Sequence, residues 1–217
     1  MEILKLKETL EKLAYFTKQN LNIYLNKEGE SLNYWIKKLI NKGILIPIKK
    51  GFYISSFFLD KIKGKNETEE YLEYLAGIIR YPSYISLEYA LAKYGLIPES
   101  VFRITSISKK TTKKYDNKLI TFSYQKIKDS LFMGFIEKKY GIRTVRFATP
   151  SKALFDYLYL RKFASDSEIE NYLLKTSRIN WLALESVDKK LFSKYVDLSS
   201  SNKMNNILKI LIANKII

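Results

Sequence analysis

The stretch SLNYWIKKLINKGILIPIKKGFYIS, residues 31–55, decides the N-terminal fold. Ser31 reads as an N-cap, and Leu32, Trp35, Ile36 and Leu39 recur at helical spacing as one apolar stripe. Gly43 follows the last periodic residue and reads as a C′ glycine that ends the helix. Ile44-Leu45-Ile46-Pro47-Ile48 and Phe52-Tyr53-Ile54 then flank Lys49-Lys50-Gly51, two short strands around a basic turn. Upstream, Leu4, Leu6, Leu10, Leu13 and Ala14 give a first amphipathic helix over 3–15. Thr17 caps a short second helix carrying Leu21, Tyr24 and Leu25, and residues 27–30 form a turn. Three helices and then a hairpin is the order of a winged helix-turn-helix. Its third helix enters the major groove and its hairpin lies against the backbone or the minor groove.

On that reading the DNA-contacting residues face away from the stripe: Asn33, Tyr34, Lys37, Lys38 and Asn41, with Ser31 at the helix start. Asn pairs bidentately with adenine, and Lys neutralises phosphate. Lys49 and Lys50 at the hairpin tip are expected wing contacts. A solvated helix face would have the same composition, and winged helices also dock proteins. The helix order, the glycine stop and the basic hairpin together favour DNA.

Downstream, residues 61–70 (KIKGKNETEE) are polar and aperiodic and read as a linker. Helix resumes over 67–79 and breaks at Tyr81-Pro82. Residues 86–95 read as a short helix with Ser86 at one end and Gly95 at the other. Strands are expected over 101–108, 119–124, 131–136 and 142–147. Thr149-Pro150 opens a helix with Ala153, Leu154, Tyr157, Leu158 and Leu160 on its face. Three more helices are expected near 167–175, 183–195 and 203–212. The expected fold class is therefore α+β. A winged helix-turn-helix over 1–60 is followed, after the linker 61–70, by a mixed α/β C-terminal domain over 71–217 that ends in helices.

The 217 residues carry 38 Lys+Arg against 22 Asp+Glu, a net +16, which favours a polyanionic partner. Much of that excess is lysine, with only six arginines, so its placement matters more than its total. Residues 101–150 hold twelve basic side chains against three acids, and 1–60 hold ten against six. The densest point is the lysine group Lys109, Lys110, Lys113 and Lys114, expected in an interstrand loop. It suits DNA phosphates, an acidic protein partner, or simply a sheet edge kept soluble.

Cys and His are both absent, which removes disulfides, thiolate metal sites, Ser/His and Cys/His nucleophiles, and the usual neutral-pH base. No phosphate-cradling glycine loop and no GxSxG elbow occurs. Asp156 and Glu185 stand alone among scattered carboxylates. The expectation is a non-enzyme without cofactor or metal. No apolar run is long enough to span a membrane and no signal peptide is visible, so a cytoplasmic location without membrane contact is expected.

Three stretches carry a family resemblance: LIPIKKGFYIS at 45–55, YPSYISLEYALAKYGLIPE at 81–99, and RFATPSKALFDYLYL at 146–160. Together they resemble the AbiEi-type antitoxins, predicted transcriptional regulators of viral defence. The resemblance runs from about residue 5 to 162 and fades beyond Phe163. It implies a type IV toxin–antitoxin protein whose winged helix binds inverted repeats upstream of its own operon and represses transcription. It further implies that the second domain counteracts a nucleotidyltransferase-like toxin, directly or indirectly. Asn33, Tyr34, Lys37 and Lys38 match the recognition helix, and Lys49 and Lys50 the wing. No toxin-neutralising residue maps onto a single position. The rival expectation is a protein-interaction module that docks an acidic partner without sequence-specific DNA binding.

Overall fold

The computed structural model describes residues 2–217, with side chains from residue 7 onward. The fold is mixed α+β, with ten α-helices and two sheets among the described residues. By contacts it divides into two units: the residues up to Leu75 with Tyr115–Leu119, and Ala76–Lys114 with Ile120–Ile217.

The first unit opens with α1 (Glu2–Lys12), β1 (Phe16–Thr17), α2 (Lys18–Leu25) and α3 (Gly29–Asn41). The hairpin β2 (Leu45–Lys49) and β3 (Phe52–Ser55) follows, then α4 (Ser56–Gly64) and the start of α5 (Thr68–Ile79). Thr17 caps α2 as expected, through a reciprocal box in which its hydroxyl accepts from the Asn20 amide and Asn20 Oδ1 accepts from the Thr17 amide. Leu10, Phe16, Leu21, Leu32, Ile36, Leu39 and Leu45 form one buried cluster, so α1, α2, α3 and β2 share a core. The expected inward placing of Leu4 and Leu6 lies outside the described side chains.

Three sequence expectations shift here. The α3 helix begins at Gly29, with Glu28 at the N-cap position, so Ser31 is a first-turn residue and not the cap. Gly29 takes φ +52° and turns the chain into the helix two residues early. Phe16-Thr17 forms a short strand, giving a three-stranded sheet in the order β1-β3-β2. Finally, 61–70 is the end of α4, a short turn and the start of α5, with no extended linker. Ile62 of that stretch is buried, and Phe58, Leu59 and Ile62 give α4 an apolar face hidden among polar letters.

The second unit is built on a six-stranded sheet in the order β6-β7-β5-β4-β9-β8. The strands are β4 (Ser83–Ile85), β5 (Arg103–Ser108), β6 (Lys113–Asp116), β7 (Thr121–Lys126), β8 (Phe135–Tyr140) and β9 (Arg143–Ala148). Pairing is antiparallel for β4–β5 and β8–β9, and parallel for β5–β7 and β4–β9. Sequence reasoning missed β4 and β6 and placed a strand over 131–136. The chain instead makes a 3-10 turn at Asp129–Leu131, and Gly134 at φ +75° delays β8 to Phe135.

Helices α6 (Leu87–Lys93), α7 (Pro150–Leu160), α8 (Asp166–Asn171), α9 (Ser186–Ser199) and α10 (Asn202–Ala213) complete the unit. The last helical turn before Ser177 winds as a π-helix over Tyr172–Thr176. The helix α7 opens at Thr149-Pro150 as the sequence indicated, with Pro150 in the first turn, and Thr149 caps it by accepting from the Lys152 amide. Six consecutive residues of α7, Ser151–Asp156, are buried, more than an amphipathic face would give. Phe155 stacks on Tyr159 at 5.4 Å and meets Phe192 of α9 edge-on at 6.4 Å. Burying each such ring contributes about 1.5–3 kcal/mol.

Candidate nucleic-acid interface

The geometry of α3 follows from its two ends. At the C-terminus the Gly43 amide donates to Ile40 O at 2.9 Å and the Ile44 amide to Leu39 O at 3.0 Å. With Gly43 at φ +69°, this pair of bonds closes the helix and turns the chain directly into β2. Leu32, Ile36 and Leu39 are anchored in the core. At 3.6 residues per turn their burial rotates Asn33, Tyr34, Lys37 and Asn41 onto the opposite face. All four are exposed.

The flanking candidates differ. Ser31 and Lys38 lie to one side of that face. Ser31 is exposed, while Lys38 is half-buried with its ammonium 4.5 Å from the Trp35 ring centre and 5.9 Å from that of Tyr34. That cation–π seat holds the charge close to the helix surface. In the hairpin, Gly51 at φ +74° makes the tight turn, and Lys50 beside it is exposed. Lys49 is half-buried, 5.8 Å from the Phe52 ring and 5.7 Å from that of Tyr115. The tip therefore presents Lys50 outward and holds Lys49 against aromatic rings.

The second basic group separates into two settings. Lys109 and Lys110 lie in a loop after β5, whereas Lys113 and Lys114 belong to β6, the edge strand of the sheet. All four are exposed. The loop is held from several sides. Arg80 Nη2 donates to Thr111 Oγ1 at 3.0 Å and to the Thr111 carbonyl, and the Lys126 amide donates to Thr112 Oγ1 at 3.2 Å. Lys109 rests 5.3 Å from the Phe132 ring. Arg80 was not singled out in the sequence, because it sits 29 residues before the lysines and only the fold brings it to their loop. The expected single loop is thus half strand, and its lysines sit where a sheet edge needs charge against edge-to-edge pairing.

A different constellation is fully buried. Asp156, which looks solitary in the sequence, meets the Lys152 ammonium through Oδ1. Its Oδ2 accepts from Tyr84 Oη at 3.0 Å and from Ser86 Oγ at 2.8 Å. Ser86 stands at the N-cap position of α6 but spends its hydroxyl on Asp156 and makes no capping bond. Burial pushes the Asp156 carboxyl up and the Lys152 ammonium down, with each partner opposing the shift of the other. The i,i+4 spacing of Lys152 and Asp156 was visible in the sequence; their burial was not. With no exposed surface on either side chain, the pair secures α7 against β4 and the start of α6.

Among the described residues, no group of three acidic side chains is close enough to hold a metal ion, and no helix is long and apolar enough to cross a membrane. No protein-family model matches the chain, and no curated protein matches it.

Proposed function

We propose that this protein is a DNA-binding transcriptional autorepressor and antitoxin, with the first unit a winged helix and α3 its reading helix. The observation that carries the reading is the exposed face of Asn33, Tyr34, Lys37 and Asn41, set opposite the buried Leu32, Ile36 and Leu39. A rigid helix offering two amides and a lysine suits base edges and phosphates of a major groove. Lys50 at the turn of the β2–β3 hairpin is the wing contact. Lys109, Lys110, Lys113 and Lys114 add sequence-independent attraction to phosphate. The protein acts by binding, in the cytoplasm, with an inverted repeat upstream of its own operon as target. The second unit counteracts a nucleotidyltransferase-like toxin.

The test is salt-dependent binding to the DNA upstream of its own gene, with Lys37→Ala and Lys50→Ala as probes. Each lost phosphate contact lowers the log–log salt slope by about 0.9. An unaltered slope and affinity in both variants overturns the assignment of the reading head. A second reading, docking of an acidic protein, draws on Lys113 and Lys114 standing on an edge strand. Co-purification of a partner without any DNA shift would favour it.

A further inference from the structure

We propose that the second unit carries a binding site for a small aromatic oxyanion, centred on Arg161. A cleft of about 610 Å³ opens there, within the size range of small-ligand sites. Four charged side chains line it, and three are compensated. Glu88 pairs with Arg103 at 3.3 Å, and Glu99 pairs with Arg178 at 3.4 Å from outside the lining. Arg161 is the exception: among the described residues its guanidinium makes no ion pair and no hydrogen bond. It lies instead 3.9 Å from the centre of the Tyr172 ring. Cation–π attraction to that ring seats the guanidinium and uses none of its N–H donors, which stay available to a carboxylate or phosphate.

The walls supply the rest of the chemistry. Phe102 stands 89 % exposed at the rim, an aromatic face with little protein on it. Tyr157 and Tyr172 share one hydrogen bond, 2.8 Å between hydroxyl oxygens. Burial and that bond push the Tyr172 hydroxyl up, and with one hydrogen bond shared between two hydroxyls, one O–H is left to donate. The wall carrying Tyr172 and Ser177 is the π-helical turn, closed by the Ser177 amide donating to Tyr172 O at 2.8 Å. Arg178 follows at φ +52°, a conformation unfavourable for a side chain of its size. Local π winding and left-handed backbone recur at functional sites. One uncompensated cation, one free hydroxyl proton and one open aromatic face together fit a planar ring bearing a single oxyanion head. The site does not depend on the DNA-binding reading.

The experiment is titration of the full chain with adenosine 5′-monophosphate, indole-3-acetate and adenosine, read by calorimetry and by saturation-transfer NMR. At least one of the two anions should saturate the protein, and adenosine should bind about tenfold more weakly or worse, since it lacks the charged head. A tighter nucleotide identifies a phosphate ligand; tighter indole-3-acetate identifies a carboxylate. Arg161→Gln should weaken the anion about tenfold while leaving adenosine unchanged, and Phe102→Ala should weaken all the probes. Both positions are exposed, so the variants should melt like the unaltered protein. Absence of saturable anion binding, or anion binding that survives Arg161→Gln but is lost when Lys109, Lys110, Lys113 and Lys114 are all Ala, overturns the proposal.

Discussion

The Lys152 ammonium meets the Asp156 carboxylate one turn along α7, and neither side chain has any exposed surface. Each charge would be costly alone in that setting, and the Tyr84 and Ser86 hydroxyls complete the shell around the carboxylate. Lys152→Met should therefore destabilise the protein by about 3–5 kcal/mol, because the carboxylate loses its counter-charge. The double variant Lys152→Met with Asp156→Leu should recover part of that loss. Recovery stays incomplete because the two hydroxyls are left without an acceptor, at about 1–3 kcal/mol each. Denaturant titration of the three proteins checks this. A double variant no better than the single one contradicts it.

Burial raises the hydroxyl pKa of Tyr53, Tyr84, Tyr172 and Tyr195 above the usual tyrosine range. In the unfolded chain these groups ionise near pH 10. Above that pH the unfolded state gives up protons that the folded state keeps, so stability is fully present below pH 10 and falls as pH rises beyond it. Each fully shifted group steepens the fall by up to about 1.4 kcal/mol per pH unit. Tyr84→Phe should lower stability at neutral pH and make the alkaline fall shallower by about that slope. Curves that fall in parallel above pH 10 would contradict the assignment.

Gly134 is required by its surroundings as well as by its φ of +75°. A Cβ there would collide with the Tyr195 hydroxyl, stand 2.8 Å from Tyr195 Cζ and 3.0 Å from Lys152 Cγ. Gly134→Ala should cost about 1–3 kcal/mol or more by overpacking alone. Tyr195→Phe removes only the hydroxyl and should not rescue it; Tyr195→Leu should rescue in part. Melting temperatures of the single and double variants decide it.

How far the sequence reaches is clear from particular residues. The end of α3 was legible, because Gly43 is one of few residues suited to a left-handed turn and the apolar stripe stops just before it. The capping of α2 by Thr17 and the opening of α7 at Thr149-Pro150 were legible because N-cap and first-turn preferences are local. The strands β1, β4 and β6 were not: two to four residues carry no period, and the partners of β1 and β4 lie far along the chain, while β6 is written in lysines and an acid that look like loop. The start of α3 was misplaced because Ser31 looks like a better cap than Glu28, and the turn at Gly29 overrode that preference. Lys152 and Asp156 showed their spacing but not their burial, which depends on Tyr84 and Ser86 some seventy residues earlier. The exposed face of α3 was readable from period alone. The seats of Lys38 and Lys49 on aromatic rings needed the fold.

The α3 face and the lysines of the second unit should separate in DNA binding. Asn33→Ala should reduce discrimination between operator and scrambled DNA by about 1–3 kcal/mol and leave the salt slope unchanged. Converting Lys109, Lys110, Lys113 and Lys114 to Ala should weaken binding to both DNAs alike and flatten the slope. Fluorescence anisotropy over a salt series distinguishes the outcomes. A lysine variant that loses only operator binding would place base readout in the second unit.

The most direct test of the central claim is a mobility-shift titration of the purified full chain on the DNA immediately upstream of its own gene. It should be run near physiological salt with a large excess of scrambled duplex. The expected result is a shift that survives the competitor and is lost with Lys37→Ala and Asn33→Ala combined. A shift abolished by the competitor, or one indifferent to both substitutions, would contradict it.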